Sequence, residues 1–408
     1  MDVTPGVRRE PGPDLEAVGQ DEDLAARIRA EIERDGPITF ARFMELALYD
    51  PDGGYYRSEV ARPGREGDFL TAPETHPIFG ATLARALTEL WERLGRPDPF
   101  VLREYGAGTG ALAVAVLDGL RTDGTELADA LRYDPVEVEP RRLEAIRARF
   151  AGRGQAGMLL GAAARDRPIV GMVLANEVLD ALPTHRIVAR GEVLREVRVG
   201  VDGGRFVDVE MPAIPITLSG RLAAERISLV DGQRAEVCLA LDGWIEDAAD
   251  GLDRGMLLLI DYGYPAAELY DPIRRRNGTL RAYVRQRVHD DPYRHVGRQD
   301  LTAHVDVTAV EQAAARAGLV HLGTTTQAEF LVGLGIERRL QAVQADPATT
   351  MEDYLALRSS LMRLLDPGAM GRFRVLGFGR AWPDGPPFPG FTYRLMAEPS
   401  GPHRTAPD

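Results

Sequence analysis

From Phe100 onward the sequence alternates short apolar segments with amphipathic segments of helical spacing. FVLREY, PIVGMVLANE and GMLLLIDYG are apolar runs of strand length, which is typical of strands buried on both faces. Segments between them, such as PRRLEAIRARF, repeat apolar residues at the period of a helix. This alternation predicts an α/β fold, with a doubly wound and mostly parallel sheet covered by helices on both faces.

The remainder of the chain divides around this region. The sequence predicts a disordered tail over residues 1–20, an N-terminal helical region over 21–97, the α/β domain over 98–398 and a disordered tail over 399–408. Two insertions are predicted within the domain. Residues 185–240 begin with the alternation of β-hairpins, and residues 264–300 are polar and rich in arginine, with a cluster over 274–287 whose role the sequence leaves open.

Three glycines at alternate positions follow the first strand of the alternating region, in the segment EYGAGTG. Gly106, Gly108 and Gly110 let a backbone turn tightly and approach a ligand, and the following helix presents its partly positive N-terminus. The spacing alone also fits a nicotinamide enzyme, or a tight turn that binds nothing. Glu104, just before the glycines, favours a ligand with an ammonium or sulfonium group over an anionic diphosphate.

Glu137 ends the second predicted strand, where a carboxylate can accept hydrogen bonds from the two hydroxyls of a ribose. An exposed acid at a strand end is the alternative. Glu104 and Glu137 together favour S-adenosylmethionine (SAM) over NAD as the cofactor, because SAM keeps the adenosine and replaces the diphosphate with a cationic tail.

A second polar cluster follows the strand PIVGMVLANE and contains Asn176, Glu177, Asp180 and His185. Methyl transfer from a sulfonium needs an aligned nucleophile with an available lone pair, and it needs no metal. Carboxylates can clamp a guanidinium and take up its proton, so Glu177 and Asp180 are the candidate catalytic residues, with His185 as a third. A helix cap at Asp180 and a structural role for His185 stay open as alternatives.

Composition excludes several other classes of function. A net charge of −13 argues against general nucleic-acid binding, and no apolar run reaches the ~20 residues of a membrane helix. The sequence contains no lysine, which excludes a lysine Schiff base. Its single cysteine, Cys238, suits a reducing compartment, and we expect a cytoplasmic location. The oligomeric state stays open, a homodimer included.

The order of the motifs resembles one family in particular. ITFARFMELALYDPDGGYY, GDFLTAPE, EYGAGTGAL, VEVEPRRL, ANEVLDALPTHR, LLLIDYGY, GTLRAYVRQRVHDDP and DLTAHVDVTAV occur in that order. The sequence is similar to the MidA-type family of SAM-dependent methyltransferases, whose mitochondrial member is an assembly factor for respiratory complex I. The resemblance runs from about Ile38 to Leu376.

The resemblance implies a class I methyltransferase fold, SAM as the cofactor and symmetric dimethylation of an arginine in a protein such as a respiratory complex subunit. By position, it assigns cofactor-binding roles to the following residues: Glu104, Gly106, Gly108, Gly110, Glu137, Asn176, Thr71 and Glu74. The family's motif after the fourth strand includes Glu177 and Asp180. The segments DYGY, from Asp261, and DLTAHVD, from Asp300, match its later motifs.

The sequence also departs from the family pattern. Val178 and Leu179 replace an aromatic pair beside Glu177, and Val307 replaces a phenylalanine. None of these changes removes a charged group, so they affect the expected acceptor more than the cofactor. Methylation of a small molecule on oxygen or nitrogen, and a non-catalytic assembly chaperone, therefore stay open as alternatives.

Overall fold

The computed structural model describes residues 18–58, 72–285 and 287–395. Thr71, most of the predicted N-terminal tail and the whole predicted C-terminal tail lie outside these residues. Among the described helices, none is both long and apolar enough to cross a membrane.

The helices of the described ranges are α1 Glu22–Asp35, α2 Phe40–Tyr49, α3 Ala72–Thr75, α4 Ile78–Arg93, α5 Ala111–Thr122, α6 Leu127–Ala130, α7 Pro140–Gly152, α8 Ala162–Arg165, α9 Ile216–Ala224, α10 Ala240–Asp250, α11 Ala266–Leu269, α12 Val307–Arg316, α13 Gln327–Gly333, α14 Ile336–Ala345 and α15 Met351–Leu365. The strands are β1 Ile38–Thr39, β2 Phe100–Tyr105, β3 Leu131–Val136, β4 Ile169–Asn176, β5 His185–Arg190, β6 Val193–Asp202, β7 Arg205–Glu210, β8 Arg234–Val237, β9 Leu252–Asp261, β10 Gly263–Tyr264, β11 Arg281–Val284, β12 Arg287–His289, β13 Asp300–Thr302, β14 Val305–Asp306, β15 Val320–Thr326 and β16 Arg374–Arg380.

A central sheet of six strands has the order β15-β16-β9-β4-β2-β3. Strands β3, β2, β4 and β9 are parallel, and β16 and β15 add two antiparallel pairings at the other edge. The predicted doubly wound, mostly parallel sheet is confirmed. The chain passes from β2 to β3 on one side and later returns to place β4 on the other side of β2. The strand order therefore reverses between β2 and β4, which is where open sheets of this kind bind ligands.

Strand β9 shows why its sequence is apolar throughout. Met256, Leu258 and Ile260 lie in the core under α4 and α5, whereas Leu257 and Leu259 lie in the core under α10 and α12. Successive side chains of a strand point to opposite faces, so a strand covered on both faces has no polar side.

An accessory sheet forms from the first insertion. The long strand β6 pairs antiparallel with β5 over its first half and with β7 and β1 over its second half, and β8 pairs with β5. The β-hairpins of this insertion turn at Gly191 and at Gly203–Gly204, and all three glycines have the positive φ that such turns require. Val199 and Phe206 of the accessory sheet share a core with helices α1 and α2.

The helices before Phe100 pack in two places. Phe40 and Phe43 of α2 belong to a core with α1, the accessory sheet and Leu301, and the Phe43 ring lies 5.4 Å from the ring of Phe206. Helix α4 instead packs on the central sheet, with Leu83 and Leu87 in that core. The domain boundaries given above stay a prediction.

The second insertion is more ordered than its composition suggests. It forms α11 and a small antiparallel sheet in which β11 pairs with both β12 and β13. Its register places Tyr283 opposite Asp300 and Arg281 opposite Thr302. Buried Val284 and Leu301 anchor this sheet, so its polar residues are carried to the edge of the central sheet.

Candidate functional site

Acidic residues lie at the carboxyl ends of all four parallel strands. Glu104 is the penultimate residue of β2, Glu137 directly follows β3, Glu177 directly follows β4 and Asp261 ends β9. Carboxyl ends of parallel strands meet at one edge of a sheet, so residues far apart in the chain become neighbours. A cavity of about 560 Å³ opens at this edge, within the range of small-molecule sites.

The cavity has two ends that we name by their residues. The glycine-loop end comprises Glu104, residues 106–109 and Glu137, which line the cavity, and Gly110, which ends the loop without lining the cavity. The acidic end comprises Glu177, Asp180 and Asp300, which line the cavity, with Asp261 behind them.

The glycine loop has a left-handed backbone at all three glycines, with φ of 66° at Gly106, 54° at Gly108 and 72° at Gly110. A Cβ at Gly106 would lie 2.8 Å from Val178 Cγ2, and one at Gly110 would lie 3.2 Å from Ile146 Cγ1. A Cβ at Gly108 would meet only the carbonyl oxygen of Gly106, at 3.9 Å. Gly106 and Gly110 thus serve the turn and its packing, while Gly108 keeps bare backbone on the cavity wall.

Glu104 is buried beneath this loop, where its carboxylate accepts a 2.6 Å hydrogen bond from the hydroxyl of Tyr133. Burial raises the pKa of Glu104 to about 8, with a smaller upward contribution from Glu137 and Glu74, while the Tyr133 hydrogen bond lowers it. A cation in the cavity would favour the charged carboxylate. The position thus suits a positively charged ligand group.

Glu137 holds the loop from the other side. One carboxylate oxygen accepts the backbone N–H of Gly108 at 3.0 Å, and the other accepts that of Val138 at 2.8 Å. Arg142 lies 3.6 Å from the same carboxylate, whose side chain is only 4% exposed. These contacts fix a carboxylate at the cavity wall, where it can accept further hydrogen bonds from a diol.

Glu74 and Asn176 also line the cavity. Glu74 in α3 accepts a 2.7 Å hydrogen bond from the hydroxyl of Thr109, which joins α3 to the glycine loop. Asn176 donates to Glu177 at 3.1 Å, and within the described chain its buried Oδ1 accepts no hydrogen bond. The structure thus brings together the predicted cofactor-binding residues, apart from Thr71, which lies outside the described residues.

Glu177 has a strained backbone, with φ of 55°. Its N–H donates to Ile260 on the neighbouring strand β9 at 2.8 Å, and its carboxylate accepts from the N–H of Ala72 at 3.1 Å. Burial raises the pKa of Glu177 to about 8, helped by the charges of Asp261 and Asp300 and opposed by the hydrogen bonds that it accepts. The carboxyl group is thereby aimed into the cavity from a turn that few non-glycine residues adopt.

Asp261 holds the turn at Glu177 in place through hydrogen bonds to backbone N–H groups. One of its carboxylate oxygens accepts the N–H groups of Val178 at 3.1 Å, Leu179 at 2.8 Å and Asp180 at 3.3 Å. The other oxygen accepts the N–H of Tyr262 at 2.8 Å. Sequence reasoning placed Asp261 in a family motif without giving it a role, because its partners lie about 80 residues away in the chain.

Asp180 is buried at the centre of the acidic end. Burial raises its pKa well above the usual value, and the charges of Asp261, Asp300 and Glu177 raise it further. Four carboxyl groups so close together repel one another when all are ionised. The acidic end is therefore a site that a cation stabilises.

Aromatic residues form the walls of the acidic end. The sequence left open whether Tyr262, in DYGY, lines an acceptor pocket or only packs, and it gave the other tyrosines no role. Tyr56 donates to Asp300 at 2.7 Å, Tyr49 donates to the carbonyl of Ala181 at 2.9 Å, and the two rings stack at 5.5 Å. Tyr262 and Tyr283 line the cavity as well. These tyrosines come from separate chain segments, so no local spacing marks them.

The structure does not bring His185 to this group. It begins β5 in the accessory sheet and does not line the cavity, and its Nδ1 lies 2.9 Å from Glu196, which also binds Arg198 at 2.8 Å. His304 lines the cavity instead, with its ring stacked on Tyr262 at a centroid distance of 6.4 Å. Burial lowers the pKa of His304 to about 4, helped by three arginines, so this ring is neutral at pH 7.

An open α/β sheet with a left-handed glycine loop between two carboxylates, at the reversal of strand order, defines a Rossmann-like class I methyltransferase. The chain belongs to a family of SAM-dependent methyltransferases, since a family model described as "Putative S-adenosyl-L-methionine-dependent methyltransferase" matches residues 82–325. The predicted resemblance and SAM as the cofactor are confirmed, and the NAD alternative is set aside.

Named relatives agree over most of the chain. A protein arginine methyltransferase NDUFAF7 homolog of Drosophila melanogaster is 31% identical, covering 86% of this chain and 84% of its own. Human protein arginine methyltransferase NDUFAF7 is 27% identical, covering 84% and 79%. A crystal structure of a superfamily member from Burkholderia thailandensis, bound to S-adenosyl-homocysteine, is 34% identical with a TM-score of 0.82, covering 94% of this chain and 98% of its own.

The comparison overturns the prediction of a cytoplasmic location, which is wrong because both named relatives are mitochondrial proteins. A single unpaired cysteine indicates a compartment that does not oxidise thiols, and this property does not separate one reducing compartment from another. Among the described residues, no group of three or more histidine, cysteine or acidic side chains is placed to hold a metal ion.

Proposed function

We propose that this methyltransferase modifies a guanidinium nitrogen of an arginine side chain in a protein. The observation that carries the proposal is the acidic end, where Glu177, Asp180 and Asp300 converge on one part of the cavity. Their mutual repulsion makes the binding of a cation favourable there, and carboxylates match the planar, bidentate geometry of a guanidinium. The named relatives are protein arginine methyltransferases, which supports the same acceptor.

The glycine-loop end is the proposed position of SAM. Glu104 would attract the cationic amino-acid part, Glu137 would accept from the ribose hydroxyls, and Gly108 would allow close approach to the backbone. Glu74 and Asn176 line the same cavity, Glu74 bonded to Thr109 of the glycine loop and Asn176 to Glu177 of the acidic end. The glycine-loop end therefore fits a ligand that places a positive charge near Glu104 and a diol near Glu137.

When bound, SAM supplies an electrophilic methyl group on a sulfonium. The residues of the chain would then align and activate the acceptor. Glu177 and Asp180 would clamp the guanidinium and concentrate electron density on one nitrogen. One of them would take up the proton released as the nitrogen–carbon bond forms and the methyl carbon–sulfur bond of the sulfonium breaks. The tyrosine rings of the acidic end provide faces for a planar cation.

The family resemblance further supports symmetric dimethylation and a respiratory complex subunit as the acceptor, and both stay predictions. Methylation of a small molecule is the alternative that the same fold allows. The acidic end favours a cationic acceptor in either case.

A labelling experiment tests the proposal. The protein is incubated with methyl-labelled SAM and a cell lysate, and the protein fraction is hydrolysed to amino acids. We expect the label in methylated arginines. A time course shows whether monomethylarginine forms before dimethylarginine. Label confined to the small-molecule extract, or to methylated lysine or histidine, would contradict the proposal. A Glu177→Gln enzyme serves as the control for background labelling.

A further inference from the structure

The acidic end of the cavity is bordered by positive charge. Arg372 lines the cavity and is exposed, and no carboxylate among the described residues lies within ion-pair distance of it. Arg275 places its guanidinium 4.7 Å from the ring centroid of Tyr264, which in turn lies 5.5 Å from the ring of His304 on the cavity wall. We name Arg275, Arg281 and Arg372 the arginine rim.

Arg281 belongs to the rim through its strand. Its register partner on β13 is Thr302, which lines the cavity, and its side chain is 39% exposed. Burial lowers the pKa of His304, and the charges of the three rim arginines lower it further, which agrees with their position near that ring. Two chain segments about 90 residues apart, the second insertion with Arg275 and Arg281 and the segment before β16 with Arg372, thus converge at one border.

Acidic neighbours leave the rim accessible. Asp290 lies 3.5 Å from Arg281 but is itself 86% exposed, so this pair is weak and competes with solvent. The pKa of Asp271 is lowered mainly by the backbone N–H groups of Arg274 and Ile273, and the charge of Arg275 contributes least. Arg276 of the predicted cluster differs, since its guanidinium donates to the backbone carbonyl of Asp231.

The positive charge of the arginine rim contrasts with the negative charge of the acidic end and of the whole chain. It adjoins a buried acidic cluster and belongs to a chain with a net charge of −13. A substrate that places a cation in the acidic end would lay its adjoining residues along the border, at the rim. Acidic residues there would form the charge-assisted hydrogen bonds that guanidinium groups favour.

We propose that the acceptor is an arginine with acidic residues close to it in the sequence, recognised by Arg275, Arg281 and Arg372 at the border of the cavity. This inference rests on the proposed function and adds the sequence context of the target. The paired features explain selection: the acidic end takes the arginine, and the rim rejects lysine-rich or arginine-rich flanks by like-charge repulsion.

A peptide library tests the inference. Each peptide carries one central arginine with three randomised residues on either side, and methylated peptides are sequenced after reaction with labelled SAM. We expect aspartate and glutamate to be enriched over lysine by about threefold or more at one or more positions, with less enrichment at high salt. Methylated peptides without this enrichment would overturn the inference and leave arginine methylation intact.

Two variants assign the preference to the rim. Arg372→Glu should abolish the enrichment of acidic residues and favour lysine. The exposed Arg358, on α15 and outside the cavity lining, provides a matched control: Arg358→Glu changes the net charge equally and should keep the wild-type preference. A preference that survives in Arg372→Glu would contradict the assignment. Labelling of small molecules with no labelled peptide would refute the proposed function itself, and the inference with it.

Discussion

The two ends of the cavity hold their carboxylates in different ways. At the glycine-loop end, Glu104 and Glu137 are held by Tyr133 and by backbone N–H groups, all within residues 104–138. At the acidic end, Glu177 and Asp180 depend on Asp261, Ala72 and a distant sheet that carries Asp300. One end is built from a single β-α-β segment, and the other is assembled from four parts of the chain.

This difference has a functional consequence. A local, backbone-based site keeps its shape when the acceptor region varies, because its geometry is set by one turn and two strands. An assembled site made of like charges is unfavourable by itself and gains stability when a cation enters. We therefore expect substitutions at the two ends to separate cofactor binding from turnover.

The largest expected effect is at Gly108. Gly108→Val forces a branched side chain into a left-handed backbone and onto the cavity wall, so we expect SAM affinity to fall at least ~100-fold by titration calorimetry. Gly124→Val is the matched control, since Gly124 has a similar φ of 63° with no atom near its Cβ position. Equal losses in both variants would show that backbone strain, and not the cavity wall, is responsible.

Glu177→Gln separates the two ends next. The glutamine keeps the hydrogen bond from Ala72 but cannot take up a proton, so we expect turnover to fall about 100-fold with SAM affinity within about threefold of wild type. Glu137→Gln is the reciprocal variant. It should weaken SAM binding about tenfold with a smaller effect on turnover at saturating SAM. Loss of SAM affinity in Glu177→Gln would show that the two ends do not act as separate sites.

A smaller effect is expected from pH. Folding raises the pKa of Glu104 and of Glu177 from 4.5 to about 8, and that of Asp261 from 3.8 to about 7. The folded state therefore binds more protons than the unfolded state, and the free energy of unfolding should decrease as the pH rises from about 4.5 to about 8. Denaturant titrations at several pH values measure this slope, and Glu177→Gln should flatten it.

The same titration predicts the opposite trend in rate. The carboxylate form of Glu177 is the one that clamps the acceptor, so kcat/KM should be about fivefold higher at pH 8 than at pH 7 in the wild type. Two results together would show that Glu177 takes no part in the proposed chemistry. The wild-type kcat/KM would not change between pH 7 and pH 8, and Glu177→Gln would leave the pH dependence of the free energy of unfolding unchanged.

The smallest effect is expected at His185. His185→Gln removes a pair with Glu196 in the accessory sheet and leaves the cavity lining intact, so turnover should stay within about twofold of wild type. A thermal melt should show the loss instead, as a lower Tm. A large decrease in turnover with an unchanged Tm would return His185 to the catalytic candidates.

Local patterns in the sequence predicted the glycine-loop end almost completely. Strand, glycines and helix are adjacent in the chain, and Glu137 ends the next strand, so hydrophobic periodicity and turn chemistry determined their relative positions. The same reasoning identified Glu177 and Asp180 as catalytic candidates, because they follow a buried strand directly. It placed His185 with them for the same reason, although the chain turns into β5 before His185 and carries it away from the cavity.

The sequence by itself determined the class of fold, the cofactor and the family, and it predicted the residues of the glycine-loop end, since these depend on periodicity and on residues close together in the chain. Only the tertiary structure decided the role of Asp261, the tyrosine walls and the arginine rim. Contacts such as those of Leu179 with Asp261 at 2.8 Å and of Tyr56 with Asp300 at 2.7 Å join residues that are 82 and 244 positions apart in the chain. Such contacts leave no local pattern, because they arise from the docking of an accessory sheet and a second insertion at the edge of the central sheet.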